Sequence, residues 1–182
     1  MLPDIRFSNV DCRKLFDYWR GLSKEGAVPR WSDFDPLHIP RLLPFVLILE
    51  AEPERGCVVR LAGTEWVEFY GRELRGQTLD SLVAEEGQEE LRAHLQRVLQ
   101  GPSAAVTLMK TPVDKGDRAS LSYTLETVAL PMAGEDGTVY RILAAMFVVE
   151  APPSAPPIGP AEGAWRRDIQ DRQYISLRPA AD

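Results

Sequence analysis

Two cysteines and two histidines in 182 residues leave little of the chemistry those side chains usually carry. Cys12 and Cys57 stand far apart and in no CxxC or mixed Cys/His spacing, which excludes a disulfide framework and a zinc site of the common kinds. No run of about 18 apolar residues is present, so no helical membrane span is written in the chain. The opening residues, MLPDIRFSNVDCRK, carry charges where a signal peptide needs an apolar stretch, and the expected location is the cytoplasm. Positive charge is also short: 21 Lys and Arg face 27 Asp and Glu, a net charge of −6, so the field that draws a protein to nucleic acid is missing. GxSxG, HExxH, P-loop and GxGxxG signatures are absent as well. No nucleophile with its base and no phosphate cradle is legible, and the chain is expected not to be an enzyme.

What remains is a globular composition, 45% hydrophobic and 26% charged, at the length of one domain with extensions. Leu15, Tyr18, Trp19 and Leu22 fall at i, i+3, i+4 and i+7, which predicts a helix over about 11–22, with Ser8, Asn9 and Asp11 offering caps. Pro29, Pro36, Pro40 and Pro44 then forbid a long helix and predict a connector of short turns, packed through Trp31, Phe34, Leu37, Ile39 and Leu42. FVLIL at 45–49 reads as a strand covered on both faces. EPERG turns the chain into a partner strand from Cys57, which Gly63 ends. Thr64 is a candidate cap for a short helix that puts Trp66, Phe69 and Tyr70 on one face, and Gly71 closes it. A second short helical segment is expected near 78–83. A longer helix over 86–100 carries Leu91, Leu95, Val98 and Leu99 on its apolar side and stops at Gly101 and Pro102. Strands are expected at 104–110, 120–130 and 138–150, joined by the turn-rich PVDKGD and MAGEDG into an antiparallel meander. Five prolines in the ten residues 151–160 predict a stiff linker. The charged tail beyond it, punctuated by Trp165, Ile169 and Tyr174, is too short for a core of its own. The expected division is therefore helix and connector at 1–42, domain at 43–150, linker and tail at 151–182.

The order β-β-α-α-α-β-β-β, with the long helix ahead of the meander, is that of the PAS fold. YWRGL at 18–22, DPLHIPRLLPFVLILE at 35–50 and RLAGTEWVEFYGRELRGQTLDSL at 60–82 resemble a family of small bacterial single-domain PAS-like proteins, most specifically through RLAGT followed by YGREL. The resemblance implies an α+β fold: a five-stranded antiparallel sheet with helices on one face and the N-terminal helix outside. It also implies a sensor with no attached kinase or cyclase. In such a sheet the first and last strands are central neighbours, and those are the two runs here that are apolar on both sides. Leu143 and Phe147 share the second face of the last strand. That patch needs cover from the helix stripe or from a partner's sheet. A homodimer contact is accordingly expected at Leu15, Tyr18, Trp19, Leu22, Leu143 and Phe147.

The concave side of the PAS-like sheet would gather Leu61, Trp66, Phe69, Tyr70, Leu91, His94, Leu95, Tyr123, Leu125, Ala144 and Met146 as a ligand pocket, apolar with few polar groups. The same side chains would equally serve as a filled core. His94 lies at the edge of the buried face of the long helix, where haem-binding PAS domains place an axial histidine. A lone histidine there is more often a hydrogen-bonded structural residue. His38 reads as a turn residue. Flavin photochemistry lacks its reactive-cysteine motif, and no metal site is expected. Asp35, Glu50 and Glu126 read as ordinary strand-end or loop acids, and Arg60 as a strand residue reaching solvent. Arg166 and Arg167 are too few for a nucleic-acid patch.

The function these residues favour is a non-catalytic PAS-like sensor. It binds a small apolar or aromatic ligand with one polar handle, or a signalling protein, and transmits through dimerisation or docking. The alternatives are a structural adaptor with a filled core and, third, a small α+β isomerase or hydrolase using Tyr123 with a carboxylate.

Overall fold

Asn9 is the residue that starts the first helix. Its Oδ1 accepts the backbone N–H groups of Asp11 (2.8 Å) and Cys12 (3.2 Å), donors that a helix leaves orphaned at its N-terminus. The computed structural model describes residues 5–22, 28–112, 122–152 and 167–177. Helix α1 (Val10–Leu22) buries Cys12, Leu15, Phe16 and Trp19. The proline-rich connector becomes three 3-10 turns, Trp31–Asp33, Pro36–His38 and Leu43–Phe45. Trp31, Phe34, Ile39 and Leu42 pack from it onto the core, whereas Leu37 stands 80% exposed. The remaining elements are β1 (Val46–Glu52), β2 (Gly56–Ala62), α2 (Thr64–Tyr70), a 3-10 turn Leu79–Leu82, α3 (Glu85–Gln100), β3 (Ser103–Pro112), β4 (Ser122–Ala133), β5 (Val139–Glu150) and β6 (Asp168–Ser176).

The strands form one antiparallel sheet in the order β2-β1-β5-β4-β3-β6. The first strand and the last strand of the meander are neighbours, in register from Val46↔Ala145 to Glu50↔Arg141. Alternation along these strands divides the interior in two. Val46, Ile48, Val128, Leu130, Leu143, Ala145 and Phe147 face α1 and the connector. Leu47, Leu49, Ala129, Ile142, Ala144 and Met146 face α2 and α3.

Three expectations are corrected. The sheet has six strands, not five, because the tail returns and pairs along β3 from Ser103↔Ser176 to Lys110↔Asp168. Its charged sequence hides a strand held by a backbone ladder and by a few anchors, Ile175 in the α1 core and Tyr174 against the other. The linker residues 153–160, Trp165, Arg166, the turn at 113–117 and the strand start at 120–121 lie outside the described residues.

The second correction concerns the dimer contact. Leu15, Trp19, Leu143 and Phe147 are between 0% and 3% exposed, packed together in one core with Tyr18 and Leu22 partly buried at its margin. The N-terminal stripe covers its own sheet, so Leu15, Trp19, Leu143 and Phe147 are buried within the fold rather than exposed on its surface. Trp19 is fixed there by a hydrogen bond from Nε1 to the Pro131 carbonyl (3.0 Å).

The third concerns the acids. Glu126 is mid-strand and 1% exposed, accepting the backbone N–H groups of Ser8 (2.7 Å) and Asn9 (2.9 Å). Glu50 receives Arg60 and Arg141, each at 2.9 Å, and Arg60 also meets Glu52 at 2.7 Å, so Arg60 is engaged rather than merely solvated. Burial alone would raise the Glu50 carboxyl; the hydrogen bonds and charges of the two arginines outweigh it and hold it below its ordinary value. Asp35 caps the turn at Pro36–His38 by accepting the Leu37 N–H.

Candidate functional site

Helix α2 is positioned by contacts at both ends. A Cβ on Gly63 would lie 2.2 Å from the Pro44 carbonyl oxygen and 2.4 Å from that of Leu43, so only glycine lets the chain pass there. Gly63, not Thr64, is the N-cap, and no side-chain cap is made. Its N–H donates to Val46 (2.8 Å), and Trp66 Nε1 donates to the Phe45 carbonyl (2.6 Å). At the other end Gly71 takes the left-handed conformation (φ 63°) that closes the helix. These contacts hold Trp66, Phe69 and Tyr70 over the sheet. Trp66 stacks on Tyr70 with ring centroids 6.3 Å apart, and Phe69 meets Tyr70 edge-on at 5.1 Å.

Between these aromatics, the apolar side of α3 and the sheet lies a cavity of about 80 Å³. Trp66, Phe69, Tyr70, Leu91, His94, Leu95, Leu125, Ala144 and Met146 line it, with Leu47, Leu49, Met109 and Thr111 from the strands. Two expected members stand elsewhere. Leu61 is 48% exposed: a bulge pairs Ile48 with Leu61 but Leu49 with Val59, and the extra residue, Arg60, turns Leu61 to the outer face. Tyr123 is buried in an adjoining cluster with Phe69, Met109 and Leu125 and does not line the cavity; burial raises its hydroxyl.

His94 is 8% exposed, and its Nδ1 lies 2.8 Å from the hydroxyl of Tyr174 on β6. Burial first, then the charges of Arg172, Arg167 and Arg97, push it down to about 3, so the ring is neutral at physiological pH. The Arg97 guanidinium sits 3.8 Å over the Tyr174 ring. The cavity is far smaller than the roughly 300 Å³ at which pockets for drug-sized ligands begin, and a haem does not fit it. Both thiols are buried and raised, Cys57 up to about 11 by burial and then Asp80, and Cys12 further by burial and Glu126. Among the described residues no cluster of His, Cys, Asp and Glu is arranged to hold a metal ion, and no helix is long and apolar enough to cross a membrane.

The residues that sequence reasoning missed come from the tail. Arg167 lines the cavity from the residue before β6, and Arg172 lies further along the strand. Arg167 Nη2 donates to Glu90 on α3 (2.7 Å), and Arg172 Nη1 donates to the other oxygen of that carboxylate. Nothing in RRDIQDRQYIS announces this, because the partner is 77 residues away in the chain; the one available signal was the apolar pair Tyr174 and Ile175.

Residues 8–147 match the family model of the PAS domain, and the chain belongs to the PAS family. The match runs from the cap of α1 into β5 and leaves β6 outside it. No curated protein sequence matches the chain at a significant level. Membership makes it a domain of a class of sensory, signalling and interaction modules.

Proposed function

We propose that this PAS domain is a non-catalytic cytoplasmic sensor whose ligand occupies the cavity between α2, α3 and the sheet. The observation that carries this reading is the cavity itself: walled mainly by apolar side chains, with Tyr70, His94, Thr111, Thr127 and Arg167 as its polar-bearing members. Such a combination of apolar walls and a few convergent polar groups is how proteins hold small molecules. Arg167 and the Tyr174 contact of His94 tie the cavity to β6, so occupancy is read out as a change in how the C-terminal segment docks, and a partner protein or second copy responds to that.

The test is a small-metabolite thermal-shift screen, with native mass spectrometry of the freshly purified full chain. Ala144→Phe, which fills the cavity, serves as the control. Ligand at a hundredfold excess over its dissociation constant adds about 2.7 kcal/mol, a shift of several degrees in a domain of this size. Hits lost in Ala144→Phe are expected. Hits equal on both proteins, or no hits and no co-purifying mass, overturn the sensor reading in favour of an interaction adaptor.

A further inference from the structure

The wall of the cavity contributed ahead of β6 carries a guanidinium, Arg167, where the other lining side chains are apolar or uncharged. Arg167 is only 13% exposed; besides Glu90, its Nη2 reaches the Gly87 carbonyl at 3.5 Å. Arg172, equally buried, donates from Nε to Thr107 Oγ1 (2.9 Å) and from Nη1 to Glu90. Among the described residues, two buried guanidiniums therefore share one carboxylate, leaving one positive charge unbalanced in the group. Arg97, nearby, is exposed, and water screens it. The Nε of Arg167 and the Nη2 of Arg172 are buried with no hydrogen-bond partner among the described residues. Buried donors of a charged group are costly when left unbonded, and a buried cation without its counter-charge is costlier still.

One kind of ligand remedies the surplus charge and, at Arg167, which lines the cavity, the open donor. A carboxylate supplies a single negative charge and acceptor oxygens suited to the guanidinium N–H donors. We propose that the cavity takes a small organic monocarboxylate, its head on Arg167 Nε and its short aliphatic or aromatic body among Leu91, Leu95, Leu125 and Met146. The inference rests on the sensory reading and sharpens it. A single surplus charge matches a monoanion; a dianionic phosphate would leave negative charge in excess beside Glu90. The cavity's size confines the body to a few carbons or one ring.

Calorimetric titration of the full chain with butanoate, hexanoate and benzoate, each beside its own amide, tests the proposal. At least one acid is expected to bind about tenfold or more tightly than its amide, the ordinary margin of a charge-assisted hydrogen bond. Arg167→Gln should bring that acid down to the level of the amide and leave the amide unchanged. Arg167→Lys, which keeps the charge and loses the Nε donor, should fall between the two. Inorganic phosphate should not displace the bound acid. Amides binding as well as acids to the wild type overturn the carboxylate while leaving a ligand-binding sensor intact. Failure of every acid overturns the carboxylate, and the sensor reading falls with it only if the metabolite screen is also empty. Should Arg167→Gln not fold, the comparison of acid with amide on the wild type decides alone.

Discussion

A carboxylate 1% exposed in the middle of a strand is costly unless both oxygens are engaged, and in Glu126 the amides of Ser8 and Asn9 engage them. Those amides open α1, so the acid fixes where the helix lands on the sheet. Glu126→Gln keeps the shape but sets an NH₂ group against an amide N–H. It is expected to lower the unfolding free energy by about 1–3 kcal/mol in urea titrations, with ligand binding unchanged; a loss of only a few tenths would mean that the contact does not anchor the helix. Trp19 is the second anchor. Because its indole is buried against its own sheet, Trp19→Glu should unfold the domain or leave it molten, at a cost of several kcal/mol, as expected for a buried unpaired charge. Circular dichroism and size exclusion distinguish this from a folded monomer released from a dimer, the outcome that would restore α1 as an interface.

At the level of elements, what was legible followed local rules. The i, i+3, i+4, i+7 stripe gave α1, the Leu91, Leu95 and Val98 spacing with Gly101 gave α3, and Gly71 marked the end of α2 because only a left-handed residue closes the helix there. The cavity aromatics were legible for the same reason, one helix face being a matter of period alone. Features set by tertiary geometry were not. Leu61 follows the strand period until the bulge reverses it, Gly63 is required by carbonyls some twenty residues earlier, and β6 is a strand only because the edge of β3 is there to pair with it. Ending the chain at Pro152 should therefore leave a folded but weaker domain with an open edge. Hydrogen exchange should speed up at alternate β3 amides, those facing β6, while the amides facing β4 stay protected. Uniform protection along β3 would show that β6 contributes nothing to the sheet, and with it the charged wall of the cavity would lose its support.

At the scale of the whole molecule, the helix cores on both faces of one sheet and the edge strand that joins α3 through Tyr174 depend on buried groups keeping their protonation states. His94 is the informative one. Its folded-state value, about 3, lies below the ordinary 6.5 because burial and three arginines disfavour a charged ring. The unfolded chain therefore binds a proton at this residue that the folded chain refuses. Stability is fully present above about pH 6.5 and declines as the pH falls below that, by about 1.4 kcal/mol per pH unit, until the folded ring itself protonates near 3. Glu50, held below its ordinary value of 4.5, steepens the loss only when the solution becomes more acidic than that, where the unfolded chain takes up a proton that the paired carboxylate still refuses. Between pH 6.5 and 4.5 the slope thus tests the histidine with least interference from Glu50. Urea titrations across this window should show a falling unfolding free energy for the wild type. His94→Gln, which keeps an acceptor for the Tyr174 hydroxyl and cannot be protonated, should flatten the curve while costing some stability at neutral pH. Parallel curves for the two proteins would mean that water or a shift of β6 relieves the buried ring, and that the contact between α3 and β6 is looser than a 2.8 Å hydrogen bond implies.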